Sequence, residues 1–352
     1  MSNKNLSAAK NAKNDEFYTQ YADIQKEINA YLDYDPDVFR GKTVLLPCDD
    51  PEWSNFTRFF AQNFEMLGLK KLISTSYAPD AKMEKYGILF EYAAEQNGGR
   101  PQNERGKIFV LDHDTNASGR IDFDDLEWDY LDGDGDFRSE EVCKLRAEAD
   151  VIVTTPPFSL FLDYVGQLIR YDKKFLIIGP QNAIHYKDTF ELIMANKMWL
   201  GYGFAAGNAY FSIPKGNVRQ FADGVYDAEK GLVKFRNCTW FTNLDHKKRH
   251  EEYVFIRKYN RDDYQRYANF DAIDVKKVSD IPEDWNGLMG VPDTFLEKYN
   301  PDQFEIVGLG SGDLAKQIGV KKNFRGRTDV ALKIGGKDKC PYSRIIIRRK
   351  PQ

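Results

Sequence analysis

Two strand–helix–strand repeats constrain the fold of this chain more than any other feature of its sequence. The first begins with the apolar run KTVLLPC at 42–48, continues with an amphipathic helix predicted over 55–69, and ends with a strand at 70–77. The second has a strand at 149–155, a helix over 159–173, a strand at 174–180 and then a helix over 188–197. A helical crossover of this length joins parallel strands. The sequence therefore predicts an α/β fold with a doubly wound sheet.

The two ends of the chain differ from this central pattern. Residues 1–14 are polar and basic, and a turn leading into a helix is predicted from Asp15. After about residue 200, short aromatic-rich segments alternate with Gly and Asn, and turn-forming sequences such as GLGSGD and KIGGKD follow. This pattern predicts a smaller C-terminal region of α+β or β-rich structure.

Composition excludes several classes of protein. The 352 residues contain no run of 18 apolar residues, and the N-terminus lacks the apolar stretch of a signal peptide, so a cytoplasmic protein without a membrane span is expected. The cysteines are far apart in the sequence and form no CxxC pair, which predicts neither a disulfide framework nor a zinc site: Cys48, Cys143, Cys238 and Cys340. The acidic stretch at 132–143 lacks the Gly and Glu that a calcium loop requires, so no metal site is predicted.

Charge is distributed unevenly along the chain. The net charge is −4, yet residues 111–150 hold 14 Asp or Glu against 4 Lys or Arg. Residues 316–350 hold 12 Lys or Arg against 2 Asp. A local basic face can bind a polyanion even when the whole chain is acidic. A solvated surface remains the alternative interpretation.

The stretch TPPF at 155–158 follows an apolar strand, where an α/β sheet binds its ligands. An exocyclic amine of a nucleobase becomes a better nucleophile when two oxygens accept its N–H hydrogens. The Thr155 hydroxyl and the carbonyl of Pro156 are candidate acceptors, and Pro156 and Pro157 hold the turn rigid because their φ angles are fixed. Phe158 is a candidate for stacking on an extruded base.

Three segments are candidates for holding a methyl donor. FYT at 17–19 precedes the first strand, CDDP closes it at 48–51, and GDGDF at 133–137 precedes the TPPF strand. No GxGxxG motif is present, which argues against a dinucleotide and against a nicotinamide-dependent oxidoreductase. The candidate donor contacts are Phe17, Tyr18, Thr19, Cys48, Asp49, Asp50, Ser54, Asp136 and Phe137. Capping of the following helix is the alternative role for Ser54, and core packing is the alternative role for the aromatic residues.

The order of these blocks resembles the EcoRI-type adenine-specific DNA methyltransferases. The resemblance runs from about residue 13 to the C-terminus and rests on DEFYTQY, CDDPEWSNF, GDGDFRSEE, PPFSLF, CTWFTNLD, DIPEDWNGLMGVPDTFLEKYNPDQFE and KCPYSRIII. It implies a Rossmann-like catalytic domain, S-adenosylmethionine as donor, and methylation of the N6 amine of adenine in a specific duplex DNA sequence with base flipping. It further implies a bacterial or phage-encoded protein of a restriction-modification system, acting as a monomer, with a cognate restriction endonuclease as a possible partner.

The resemblance divides the chain by function. Residues 1–250 are expected to form the catalytic domain and residues 251–352 the DNA target-recognition region. The expected DNA contacts are Asn182, Lys321, Lys322, Arg325 and Arg327. An Asx turn is the alternative role for Asn182, and a solvated loop is the alternative for the basic residues.

Thr155 departs from the family pattern, which reads Asn-Pro-Pro-Phe. A threonine hydroxyl is shorter than an amide and its side chain is stiff at χ1. Three interpretations follow: an active enzyme with a rearranged acceptor and help from Thr154, an impaired protein that still binds donor and DNA, or an enzyme that methylates the N4 amine of cytosine.

Overall fold

A computed structural model describes residues 18–50, 54–78, 105–204, 209–212, 224–227, 229–235 and 237–351. The described residues belong to two compact units. The first comprises those within Met1–Gln181 and Gly203–Leu244, and the second comprises those within Asn182–Tyr202 and Asp245–Gln352. The short segment 182–202 thus groups with the C-terminal residues, although it lies within the stretch to which the sequence assigns catalysis. The functional division at residue 250 stays a prediction.

The first unit contains a central sheet and a smaller sheet; strand labels follow chain order through both units. The central sheet is formed by β2 (Thr43–Leu46), β3 (Lys71–Thr75), β4 (Lys107–Leu111), β5 (Glu127–Tyr130), β6 (Val151–Thr154), β7 (Lys174–Pro180) and β12 (Cys238–Thr242). The smaller sheet is formed by β1 (Tyr18–Thr19), β9 (Ala209–Ser212), β10 (Tyr226–Asp227) and β11 (Leu232–Phe235), in the order β1-β9-β11-β10.

The central sheet is mixed. Its order within this unit is β5-β4-β3-β2-β6-β7-β12. The pairs β2–β3, β2–β6 and β6–β7 are parallel, which confirms the parallel pairing predicted from the strand–helix–strand repeats. β4, β5 and β12 are antiparallel to their neighbours and were not part of that prediction. The carboxyl ends of β2 and β6 therefore lie side by side, which places the CDD and TPPF turns at the same edge of the sheet.

The helices of the first unit are α1 (Tyr21–Leu32), α2 (Asn55–Gln62), α3 (Phe64–Leu67), α4 (Glu140–Glu148) and α5 (Phe161–Arg170). The single helix predicted over 55–69 is wrong, because Asn63 leaves the helical conformation and separates α2 from α3. Gly68 then ends α3 in the left-handed conformation at φ 62°, which glycine adopts without steric cost. The apolar face of α2 contributes Phe56, Phe59 and Phe60 to the core.

The TPPF turn is followed by a tightly packed contact between helix and sheet. Residues Phe158–Leu160 form one 3₁₀ turn before α5 begins at Phe161. The Phe161 ring is buried and lies so close to Gly179 of β7 that a Cβ atom on Gly179 would come within 2.1 Å of it. Glycine at position 179 thus allows α5 to approach the sheet directly behind the Pro-Pro turn.

We expect Gly179→Ala to lower the free energy of unfolding by about 1–3 kcal/mol, because the added methyl group overpacks the contact with Phe161. Gly166→Ala is the matched control: Gly166 is exposed within α5, and nothing lies within 4 Å of an added Cβ. That change should raise the stability by about 0.5–1 kcal/mol through helix propensity. Urea unfolding measures both, and equal midpoints for Gly179→Ala and wild type would contradict the close packing.

The second unit has its own sheet and core. Its helices are α6 (Lys187–Met194) and α7 (Gly312–Gln317), and its strands are β8 (Trp199–Leu200), β13 (Ile273–Asp274), β14 (Met289–Pro292), β15 (Phe304–Leu309), β16 (Leu332–Ile334), β17 (Lys337–Lys339) and β18 (Arg344–Arg349). Four of the strands form a sheet in the order β13-β14-β18-β15, while β16 and β17 form a hairpin. Among the described residues, no helix has the length and apolar character needed to cross a membrane.

Candidate active site

Asp49 connects the two turns at the carboxyl ends of β2 and β6. Its side chain is 5% exposed and accepts a hydrogen bond from Thr154 Oγ1 at 2.5 Å. It also accepts from Ser54 Oγ at 3.0 Å. One carboxylate is thus bonded to the last residue of β6, directly before the TPPF turn, and to the residue that caps α2.

Ser54 caps α2, which is the alternative role considered from the sequence, while its predicted contact with the methyl donor stays a prediction. Its hydroxyl oxygen accepts from the backbone N–H groups of Phe56 and Thr57, at 3.1 and 3.4 Å, which caps the first turn of α2. The same hydroxyl donates its proton to Asp49. The start of α2 is therefore fixed to the turn that follows β2.

Burial raises the pKa of Asp49 to about 6. The hydrogen bonds from Thr154 and Ser54 oppose this shift, because they stabilise the charged form, and the neighbouring charge of Asp50 adds to it. A carboxylate held near its pKa at the edge of a sheet is characteristic of functional sites.

The TPPF turn is partly enclosed by the first unit. Pro156 is buried, whereas Thr155, Pro157 and Phe158 are partly buried. The Phe158 ring packs edge-on against Phe235, with 6.4 Å between the ring centroids. Thr154, by contrast, is fully buried, so its hydroxyl supports Asp49 from inside the protein and does not face a ligand.

The segment before α1 lies beside both turns. The Thr19 hydroxyl oxygen is 3.3 Å from the Thr155 hydroxyl oxygen. Burial raises the pKa of Tyr18, and the negative charges of Asp50 and Asp49 raise it further, which places the phenol near this acidic pair. Phe17, the remaining aromatic residue predicted here, lies outside the described residues.

Cys48 is the first residue of the acidic CDDP turn after β2. Burial raises the pKa of its thiol, and the charge of Asp49 is the next cause. Asp136 contributes to the same shift, so its carboxylate lies within electrostatic range of Cys48. The structure thereby gathers residues predicted as donor contacts from 18–19, 48–50 and 136–137 around one edge of the sheet.

Asp136 and Phe137, the two predicted donor contacts in the GDGDF segment, both contact other protein residues. Asp136 forms an ion pair with Arg138, with 2.6 Å between Oδ2 and Nη2. Phe137 is 5% exposed and packs edge-on against Tyr164 at 5.0 Å between centroids. Its carbonyl accepts a hydrogen bond from the fully buried Arg146, a residue that sequence reasoning missed.

The close approach of the GDGDF segment to β3 depends on Gly135. This residue has φ 76°, and an added Cβ would lie 2.1 Å from the carbonyl oxygen of Ser76. Asp134 accepts a hydrogen bond from the backbone N–H of Ala78 at 2.7 Å through its own carbonyl. The segment is therefore held at the carboxyl end of β3, next to the end of β2.

The basic residues predicted to contact DNA are arranged on one turn of the second unit. Asn323 Oδ1 accepts from the backbone N–H groups of Arg325 and Arg327, at 2.8 and 3.3 Å. The four cationic side chains are exposed: Lys321, Lys322, Arg325 and Arg327. Phe324 is 51% exposed, and the Arg325 guanidinium lies over its ring at 5.0 Å. Asn182 is exposed just after β7.

The described residues contain no group of three or more His, Cys, Asp or Glu side chains suited to holding a metal ion. The acidic and hydroxyl groups at the ends of β2 and β6 are instead suited to hydrogen-bonding a polar organic ligand.

Comparison with known proteins defines the class of this enzyme. Residues 5–350 match the family described as adenine-specific methyltransferase EcoRI, and the chain belongs to this family. It is 42% identical to Type II methyltransferase M.EcoRI of Escherichia coli over 99% of this chain and 97% of the relative. It is 32% identical to Type II methyltransferase M.MpnI of Mycoplasma pneumoniae over 97% of each chain. No solved structure matches. The expectation of a site-specific adenine DNA methyltransferase is confirmed.

The pH dependence of methyl transfer should report the ionisation of Asp49. The ionised carboxylate accepts hydrogen bonds from Thr154 and Ser54, and protonation replaces one acceptor site with a donor. We expect kcat to fall, by up to about tenfold per pH unit, as the pH drops through about 6. Asp49→Asn should be slower at neutral pH and show no step near pH 6. A wild-type kcat that is constant from pH 5 to 8 would contradict a requirement for ionised Asp49.

Protein stability should change in the opposite direction over the same range. Because the pKa of Asp49 is higher in the folded state than its ordinary value of 3.8, the folded state binds the proton more tightly. The stabilising contribution is complete below about pH 3.8 and is lost as the pH rises through about 6. Relative to Asp49→Asn, the wild-type protein should therefore gain stability as the pH is lowered from 7 to 5, although its activity falls. Denaturant unfolding at each pH measures this change in stability.

Proposed function

We propose that this chain transfers a methyl group from S-adenosylmethionine to the N6 amine of adenine in a specific duplex DNA sequence, with Thr155 as the side-chain acceptor. The observation that carries the proposal is the set of hydrogen bonds around Asp49, which joins the acidic turn after β2 to the TPPF turn after β6. A donor held at the first turn and an adenine held at the second would be adjacent.

The residues at the end of β2 fit S-adenosylmethionine. This donor is a cation with an ammonium group and ribose hydroxyls, and the site offers the carboxylates of Asp49 and Asp50 beside the phenol of Tyr18. Because Asp49 is buried and accepts hydrogen bonds from Thr154 and Ser54, we assign it the positioning role, and we assign the partly buried Asp50 the contact with the donor. The donor supplies an electrophilic methyl group on a sulfonium centre. The first unit would then be the Rossmann-like catalytic domain.

The TPPF turn prepares the amine of adenine for attack. The Thr155 hydroxyl and the Pro156 carbonyl accept its two N–H hydrogens, so that the nitrogen lone pair is directed at the methyl carbon. As the nitrogen–carbon bond forms, the sulfur–carbon bond breaks and its electron pair stays on sulfur. The methylated nitrogen then releases one proton to solvent water, which leaves a neutral amine. Rigid prolines keep the acceptors in place without reorganisation.

Access to the amine requires extrusion of adenine from the duplex. Phe158 follows the prolines on a 3₁₀ turn, and its ring is partly buried against Phe235, which leaves it suited to stacking on a flipped base. Residues 251–352 would supply target recognition, with Lys321, Lys322, Arg325 and Arg327 on phosphates. Asn182 would contact the DNA as well. We further propose that the protein acts as a monomer beside a cognate restriction endonuclease, in the cytoplasm of a bacterium.

The test is to incubate the protein with mixed-sequence duplex DNA and S-adenosylmethionine that carries tritium on its methyl group, and then to identify the labelled nucleoside. N6-methyladenine is the expected product. Label on N4-methylcytosine would overturn the choice of base. Bound donor and DNA without labelled product would overturn the role of Thr155 and favour the impaired protein.

A further inference from the structure

The hydroxyl groups of Thr19 and Thr155 form a pair within the candidate active site. Their oxygens are 3.3 Å apart, and either can donate the hydrogen bond. Thr19 is 2% exposed, whereas Thr155 is partly buried. The two residues are 136 positions apart in the sequence, so only the fold brings them together.

Thr19 is held from two directions, which fixes the position of its hydroxyl. Asn55 Nδ2, in the first turn of α2, donates to the Thr19 carbonyl at 2.8 Å. On the other side, Thr19 pairs with Phe211 in the antiparallel contact between β1 and β9. Thr155 lies between Thr154, whose hydroxyl donates to Asp49 at 2.5 Å, and two prolines whose φ angles are fixed. The distance between the two hydroxyls therefore depends on anchored backbone on both sides.

A threonine acceptor has a requirement that an asparagine acceptor does not have. The amide oxygen of asparagine carries no proton, so its lone pairs always face an incoming N–H group. A threonine hydroxyl carries one proton, and a proton directed at the adenine amine would repel it. An active Thr155 must therefore direct its proton elsewhere, and the Thr19 oxygen lies at hydrogen-bond distance for this purpose.

We infer that Thr19 is a positioning residue that accepts the Thr155 hydroxyl proton and so leaves the Thr155 lone pairs facing the N6 amine of adenine. The inference rests on the proposed role of Thr155 as an acceptor. Thr19 would thus compensate in this chain for the hydroxyl that stands where the family pattern has an amide.

Substitutions at position 19 test this inference. Thr19→Val keeps the shape of the side chain and removes the hydroxyl, and we expect kcat at saturating S-adenosylmethionine to fall about tenfold while KM for DNA stays unchanged. Thr19→Ser keeps the hydroxyl and should retain nearly the wild-type rate. Single-turnover methyl transfer and binding of both substrates are the measurements. A Thr19→Val protein with the wild-type rate would overturn the inference.

A double-mutant cycle separates positioning from a general structural effect. In a Thr155→Asn background, the acceptor carries no hydroxyl proton to direct, so Thr19→Val should lower kcat at saturating S-adenosylmethionine by much less than it does in the wild-type background. An equal loss in both backgrounds would overturn the inference, because it would show that Thr19 acts independently of the Thr155 hydroxyl. Two other results would instead contradict the proposed function. One is that the wild-type protein forms no N6-methyladenine, and the other is that Thr155→Val keeps the full rate.

Discussion

Thr155→Val should lower the single-turnover rate of methyl transfer by about 100- to 1000-fold. Valine has nearly the same shape as threonine but offers no oxygen to the adenine amine. Loss of one preorganised hydrogen bond to the developing charge has an effect of this size in other enzymes, equivalent to about 3–4 kcal/mol in the barrier. The hydrogen bond from Thr154 to Asp49, directly before the turn, remains in the variant, so the turn should keep its position.

Binding measurements must accompany this experiment. The dissociation constants for duplex DNA and for S-adenosylmethionine should change by less than about threefold, since the hydroxyl is proposed to act on the reacting nitrogen. Thr155→Ser, which keeps the hydroxyl, is the matched control and should stay within about tenfold of wild type. A Thr155→Val protein that methylates adenine at the wild-type rate would show that another group accepts the amine hydrogens.

Replacing the four exposed cations at 321, 322, 325 and 327 with alanine should weaken binding to duplex DNA by 100-fold or more at low salt. Asn323 holds the turn that presents these residues through its side-chain bonds to Arg325 and Arg327. Each phosphate contact contributes about 0.9 to the slope of log affinity against log salt concentration. Loss of four contacts should therefore reduce that slope by about 3.6.

The salt dependence distinguishes DNA contact from a change in folding. Lys333→Ala, Lys337→Ala and Lys339→Ala on the hairpin of β16 and β17 form a control set of exposed cations within the same unit. We expect this set to change the slope less than the cluster at 321–327. Unchanged slopes for the 321–327 variant would contradict its assignment to phosphates, and the methyl-transfer rate at saturating DNA should stay near wild type.

The sequence predicted the part of the fold that depends on local patterns. The apolar runs of β2, β3, β6 and β7, with amphipathic helices after β2 and β6, were sufficient to place the acidic turn and the TPPF turn at one edge of the sheet. β5, by contrast, has the sequence EWDY and is largely exposed, so it carries no apolar alternation from which a strand could be predicted. The break at Asn63 could not be predicted either, because the apolar residues of 55–69 keep helical spacing across it.

The candidate residues could be predicted by type and position, but their partners could not. Asp49 and Thr154 are 105 residues apart, and no sequence pattern indicates that one donates to the other. The same holds for Arg146, which is buried and bonded to the Phe137 carbonyl although it appears in the sequence as an ordinary helical cation. The sequence predicted that Asp49 contacts the methyl donor. In the structure, its carboxylate accepts hydrogen bonds from protein hydroxyl groups, which supports the positioning role proposed above.

The most direct test of Thr155 as the acceptor in adenine methylation compares the native protein with Thr155→Asn in single-turnover methyl transfer, followed by identification of the modified nucleoside. We expect both proteins to form N6-methyladenine at the same DNA sequence, because the hydroxyl and the amide each supply an acceptor beside Pro156. Product from Thr155→Asn alone would contradict this role of Thr155, since the native chain would then bind its substrates without carrying out the reaction.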